Sequence, residues 1–263
     1  MKIGCDPEIF LVDAAGGFIS AIDKIGGSKE HPRPLAALGK GYAVQEDNVA
    51  IEFNIPPAED MNELKNNVNR VKLYLQEQIN NMGLSFSKES AAIFPEHELS
   101  HPAAMVFGCD PDFDAWRNGA VNPKPKANDW RLRSCGGHVH VGEKIKTESQ
   151  AIALIKWMDL ILGVPSVILD KGDQRKQLYG KRGAYRLKPY GVEYRVLSNF
   201  WIWDDHLIEW VWKGTQAAVK AWRAEDDSVL DAEDSFIAQA INENNHDVAH
   251  YLIDKHNLQQ YYA

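Results

Sequence analysis

Polar and apolar residues alternate in several short stretches of this chain, and each predicts a strand with two chemically different faces. "EIFLVDAAGGFISAID" reads as a hairpin around Gly16-Gly17, and "NVAIEFNIPPAE" as a strand stopped by Pro56-Pro57. Further strands are predicted at "GGHVHVG", "KRGAYRLKP" and "GVEYRVLSNF". Elsewhere the period changes to that of a helix. Asp60 and Glu63 have capping-box spacing, and Leu64, Val68, Val71, Leu75, Ile79 and Met82 form one stripe before Gly83. "TESQ" at Thr147 opens a second helix expected to end near Gly163 and Pro165, and a third begins at Asp204 or Asp205. From Ile93 to Asp129 prolines and aromatics crowd a stretch without periodicity, which predicts a long structured loop and a candidate element for substrate selection. Past Ser228 short helices are expected to pack on the body.

The polar faces of the strands change the picture. Asp6 and Glu8 share a side, as do Glu52 and Asn54, His138 and His140, Arg182 and Arg186, and Glu193 and Arg195. A merely solvated face is the ordinary reading of any one such pair. Five pairs supplying carboxylates, an amide, imidazoles and guanidiniums, with hardly any Lys, Ser, Thr or Gln among them, describe a surface for charge. Carboxylates suit hard divalent cations such as Mg²⁺ or Mn²⁺, imidazoles are tolerated by Mn²⁺, and arginines fork onto phosphate oxygens. Together they would clamp a nucleoside triphosphate for phosphoryl transfer. The chain has neither a GxxxxGK[ST] loop nor a GxGxxG fingerprint.

Composition narrows the classes. The 263 residues carry a net charge of -8 at pH 7, which disfavours a nucleic-acid partner. Cys5, Cys109 and Cys135 form no CxxC pair and are expected as free thiols. No signal-peptide pattern opens the chain and no membrane span is read from it, so a cytoplasmic protein is expected. Three other uses of these residues stay open. A zinc hydrolase would need His138, His140 and one carboxylate; a thiol enzyme would pair Cys135 with His138; and a catalytically inactive binding module would need no intact metal set.

The ordered set "GCDPEIF", "AIEFNIPP", "GGHVHVG" and "GVEYRVLSNF", from Gly4 to about Phe200, resembles the carboxylate-amine ligases of the glutamine synthetase and glutamate-cysteine ligase superfamily, nearest to the phage-encoded type 2 carboxylate-amine ligases. The resemblance implies an α+β fold in which a curved antiparallel sheet forms a funnel with helices outside, as one catalytic domain over residues 1–263 whose segment 228–263 packs on it. It implies ATP and Mg²⁺ or Mn²⁺ as cofactors, and small-molecule or peptide carboxylate and amine substrates joined through an acyl phosphate. Asp6, Glu8, Glu52, His138 and Glu193 match the metal ligands. Arg195, with Glu193, matches the catalytic positions, and Arg182 and Arg186 match phosphate contacts beside Arg195. Asn54 and His140 are left as a supporting shell or substrate contacts. The glutamate-cysteine branch has Glu-x-Glu where this chain has Asp6-Pro7-Glu8. If the phage likeness holds, the expected compartment is the host cytoplasm.

Overall fold

Strands form where the alternation predicts them, but most are only two to five residues long and they divide among separate sheets. The computed structural model describes residues 1–105, 111–172 and 174–262. Cys109, with most of the second GCDP segment, and the terminal Ala263 lie outside the described residues. Along the chain run β1 (Lys2–Cys5), β2 (Glu8–Ile9), β3 (Leu11–Val12), β4 (Phe18–Ile19), β5 (Arg33–Pro34), β6 (Ala43–Asp47) and β7 (Ala50–Asn54). After helix α1 (Met61–Asn80) come β8 (Ser85–Phe86), β9 (Ala91–Ile93), the short α2 (Pro102–Met105), β10 (Phe113–Asp114), β11 (Ala120–Val121), β12 (Leu132–Ser134) and β13 (Val139–Gly142). Then follow α3 (Glu148–Met158), α4 (Val164–Leu169), β14 (Ala184–Lys188), β15 (Gly191–Tyr194), α5 (Asp205–Arg223), α6 (Ser228–Asn242) and α7 (His246–Lys255).

Six strands pair in the order β1-β13-β15-β14-β10-β11, four as β2-β7-β6-β5, three as β4-β3-β8 and two as β12-β9. This corrects the expected funnel. The class is α+β and the pairing antiparallel, but no sheet is closed or strongly curled. Pro7 supplies one reason. It has no N–H for a ladder, so β1 ends at Cys5 and the chain re-enters strand pairing at Glu8 against a different partner.

The back face of the six-stranded sheet is apolar and builds the core. Ile3, Val139, Val141, Val192, Tyr194 and Tyr185 are fully buried against the helices. Helix α1 starts as its cap predicts, with the Asp60 carboxylate accepting from Glu63 N at 2.8 Å, and its stripe is buried from Leu64 to Ile79. Met82 falls outside that stripe and is exposed. Thr147 caps α3, accepting from Gln150 N at 3.2 Å. Pro165 does not end the helix as expected. A π-turn at Asp159–Gly163, in which Val164 N reaches back to Asp159 O, carries the chain into α4 with the proline in its first turn. The continuous stretch Glu148–Leu169 is long and apolar enough to cross a membrane, but 72% of its apolar window is buried within the fold, which accounts for its hydropathy.

The π-turn also anchors the sheet. Asp159 is fully buried and accepts from Trp116 Nε1 at 2.7 Å, Gly183 N at 2.6 Å and the Tyr194 hydroxyl at 2.9 Å. Burial pushes its carboxyl up to about 7 despite those three donors. The tie holds the back of β15, so the residues on its front face are set from behind. Trp201 and Trp210 are core, as their place beside an amphipathic helix implies. Helices α6 and α7 pack on each other and on α4.

Candidate active site

The front face of the six-stranded sheet is ordered by register. Gly4 lies opposite His140, His140 opposite Glu193, and Glu193 opposite Arg186, so one rung crosses β1, β13, β15 and β14. Gly4 leaves the end of that rung open, and Asp6, two residues on, fills it. Its Oδ2 lies 3.0 Å from His140 Nε2 and its Oδ1 3.3 Å from His138 Nδ1. Glu193 is fully buried beneath four positive or protonatable groups: Arg195 in direct contact, Lys188 Nζ at 2.7 Å, Arg186 Nη1 at 3.6 Å and His138 Nδ1 at 3.6 Å.

The other half of the site belongs to the four-stranded sheet. Glu8 lies opposite Glu52, and Asp47 reaches the same face from the end of β6. The joint Asp6-Pro7-Glu8 therefore sends its two carboxylates to two sheets. Two donor sets result: Asp6, His140 and Glu193, and Glu8, Asp47 and Glu52, each offering ligand atoms within 4.8 Å of one another. Two carboxylates with an imidazole, and three carboxylates, both match the donor preferences of Mn²⁺ and Mg²⁺.

Charge balance differs between the sets. Burial opposes ionisation of Asp6, but His140 and His138 hold it well below the usual carboxylate range. Burial likewise opposes Glu193, and Arg195 overcomes it, bringing the group to about 2. In the second set repulsion prevails. Glu8 is pushed up to about 7 by burial and by Asp47, and Glu52 well above its usual value by burial, Asp6, Asp47 and Glu8. A bound divalent cation would remove that repulsion.

Of the residues expected from the sequence, Asp6, Glu8, Glu52, His138, His140, Glu193, Arg186 and Arg195 converge here. His138 is buried, and burial followed by Arg195 lowers it to about 4, so it is neutral. Its Nε2 abuts the backbone of Gly136, where a Cβ would lie 2.3 Å away, which explains the first glycine of the pair before it. The second faces Ser198 O, 2.2 Å from where its Cβ would be. Asn54 lies opposite Ala43, next along the face from Glu52 and outside both donor sets. Arg182 stands apart. It precedes β14 in a turn, stacks 4.6 Å from the Trp116 ring centre and is paired with Asp234 of α6. Arg182 and Arg186 thus do not share a strand face as the alternation suggested.

Several site residues were not read from the sequence. Asp47 had a signal: "AVQED" alternates so that Gln45 and Asp47 join the Glu52 face. Arg175 had none, being a buried guanidinium that donates to Val196 O at 2.8 Å and Arg195 O at 3.3 Å behind the site. Tyr190 lies in the turn between β14 and β15, where its hydroxyl meets His140 Nδ1 and its ring stacks on the imidazole at 5.9 Å between centres. That contact orients His140 Nε2 toward Asp6. Tyr190→Phe is expected to weaken Mn²⁺ binding by about tenfold, as read from the EPR signal of free Mn²⁺ in a titration; unchanged affinity would show that His140 needs no such orientation.

Two candidate cation-binding donor sets thus lie close to clustered guanidiniums. Residues 125–260 match the family described as "Phage phiEco32-like COOH.NH2 ligase-type 2", and the chain belongs to that family. The matched stretch includes His138, His140, Glu193 and Arg195, whereas Asp6, Glu8, Asp47 and Glu52 lie before it. No curated protein matches the chain.

Proposed function

We propose that the protein is an ATP-dependent carboxylate-amine ligase that works through an acyl phosphate. The observation that carries this reading is the pair of donor sets on either side of the Asp6-Pro7-Glu8 joint, with Arg195 and Arg186 beside one of them. A carboxylate is a poor electrophile because its leaving group is oxide. In the proposed reaction a substrate carboxylate oxygen attacks the γ-phosphorus of ATP and ADP departs. An amine then attacks the activated carbonyl, phosphate leaves, and the amine proton is lost. Divalent ions, when bound, supply neutralisation of the phosphate charge. Asp6, His140 and Glu193 would hold one, and Glu8, Asp47 and Glu52 another. Arg195 would present its guanidinium to the transferring phosphoryl group, and Glu193, in contact with its Nη1, would keep it oriented.

A single-zinc hydrolase would employ one donor set and leave the all-carboxylate set without a role, so the ligase reading accounts for more of the site. The test is release of ADP and phosphate from MgATP or MnATP in the presence of pooled carboxylates and amines. Arg195→Lys is expected to stay folded and to bind ATP while turnover falls by about 10²–10³, since an ammonium cannot replace a planar donor pair. Turnover at the unsubstituted rate would remove Arg195 from the chemistry.

A further inference from the structure

A cavity of about 500 Å³ is walled by Pro111, Asp112 and the chain from Val121 to Lys126 on one side and by Gln177 to Lys181 with Ala184 on the other, and Asp112 connects it to Arg195. This volume is that of a small-molecule site. Arg195 lies behind the lining residue Asp112. The Nη1 edge of the guanidinium faces Glu193 and lies 3.3 Å from His138 Nδ1, whereas its Nε edge faces Asp112 Oδ2 at 3.4 Å. Asp112 lines the cavity, so one guanidinium separates it from the Asp6, His140 and Glu193 donor set. The Asp112 contact is long for a charge-assisted bond, which closes to about 2.7–2.9 Å when well formed. The Asp112 carboxylate marks the cavity edge nearest the arginine.

The rest of the lining adds two requirements. Lys124, Lys126 and Lys181 are among the lining residues, against the one acidic residue, Asp112; the Lys181 ammonium also donates to Asn242 O at 3.3 Å. Among the described residues neither Lys124 nor Lys126 has an ion-pair partner. Pro123 and Tyr179 supply apolar wall between the charges. An occupant that satisfies all of this has one carboxylate to compete with Asp112 at Arg195, further carboxylates for the lysines, and methylene-bearing chain between them.

We infer that this cavity seats the carboxylate substrate, and that the substrate is an oligocarboxylate of short-peptide size. The inference rests on the ligase reading for its chemistry. The carboxylate beside Arg195 is the one to be activated; those held by the lysines stay unmodified and set specificity.

The experiment uses the full chain with Mn²⁺ and three probes: N-acetyl-triglutamate, its uncharged analogue N-acetyl-triglutamine with an amidated C-terminus, and the non-hydrolysable nucleotide AMP-PNP, each titrated calorimetrically. Binding of triglutamate but not triglutamine is expected. The Lys124→Gln/Lys126→Gln double variant should weaken triglutamate at least tenfold and leave AMP-PNP unchanged. Asp112→Asn should tighten triglutamate, because it removes the competitor at Arg195 without altering the lysines; a merely structural Asp112 would not produce that gain. Absence of triglutamate binding, equal binding by the lysine variant, or a loss confined to AMP-PNP would each overturn the assignment, the last by making the cavity a nucleotide site. AMP-PNP binding to the unsubstituted protein reports separately on the ligase reading, so the two fail in distinguishable ways.

Discussion

Glu193→Gln is expected to lower metal-dependent ATP turnover by at least about a thousandfold, at the upper end of what loss of one preorganised electrostatic partner costs. The size follows from how much meets at this one carboxylate. Glu193 is fully buried, belongs to the donor set with Asp6 and His140, and is the counter-charge of Arg195, Arg186 and Lys188. A glutamine keeps the shape and one acceptor but removes the charge. A cation at Asp6 and His140 loses an anionic ligand, and Arg195 loses the partner that orients it. The substitution is also expected to cost about 3 kcal/mol of stability, because it leaves buried cations without their counter-ion. Turnover is therefore to be measured well below the variant's Tm, with folding checked by near-ultraviolet circular dichroism. A folded variant that hydrolyses ATP at the unsubstituted rate would take Glu193 out of the site.

Glu52→Gln is expected to change sign with metal. In the metal-free protein near pH 8 it should stabilise the fold by about 1–2 kcal/mol, because one like charge leaves a buried cluster whose carboxyls are already pushed up. With Mn²⁺ at a hundred times its dissociation constant the unsubstituted protein gains about 2.7 kcal/mol, and the variant should gain much less. Proton linkage sharpens the test. Glu8 rises from 4.5 to about 7 in the folded state, so the fold holds a proton that the unfolded chain has already released. The contribution of this group to metal-free stability is present below about 4.5 and is lost as pH rises toward about 7. Metal binding must displace the same proton, so the Tm gain from Mn²⁺ should grow across that interval. Thermal melts of both proteins at pH 5, 6, 7 and 8, with and without Mn²⁺, measure both effects. A Mn²⁺-induced gain that ignores pH, or is equal in the two proteins, would show that the Glu8, Asp47 and Glu52 set holds no cation.

Much of the site was legible because side-chain direction in a strand depends on a period of two. Residues 138 and 140, and 193 and 195, keep their shared faces whatever partner the strand finds. The caps at Asp60 and Thr147 were equally local, involving atoms three residues apart. Less local features escaped. The alternation from Arg182 to Arg186 crosses the turn at Gly183, so the periodicity assigns Arg182 to a face that it never joins. Tyr190 carries no pattern at all, since its role depends on a turn bringing it back over His140.

By itself the sequence determined which residue types could share a face, where three of the helices begin, and what chemistry such faces favour, because each of these is set by neighbours along the chain. The tertiary structure decided which faces meet. Pro7 interrupts the ladder, β1 pairs with β13 while β2 pairs with β7, and adjacent carboxylates consequently enter two donor sets on separate open sheets rather than the wall of one funnel. Strand partners are chosen by long-range packing against a common core, and no local period encodes that choice.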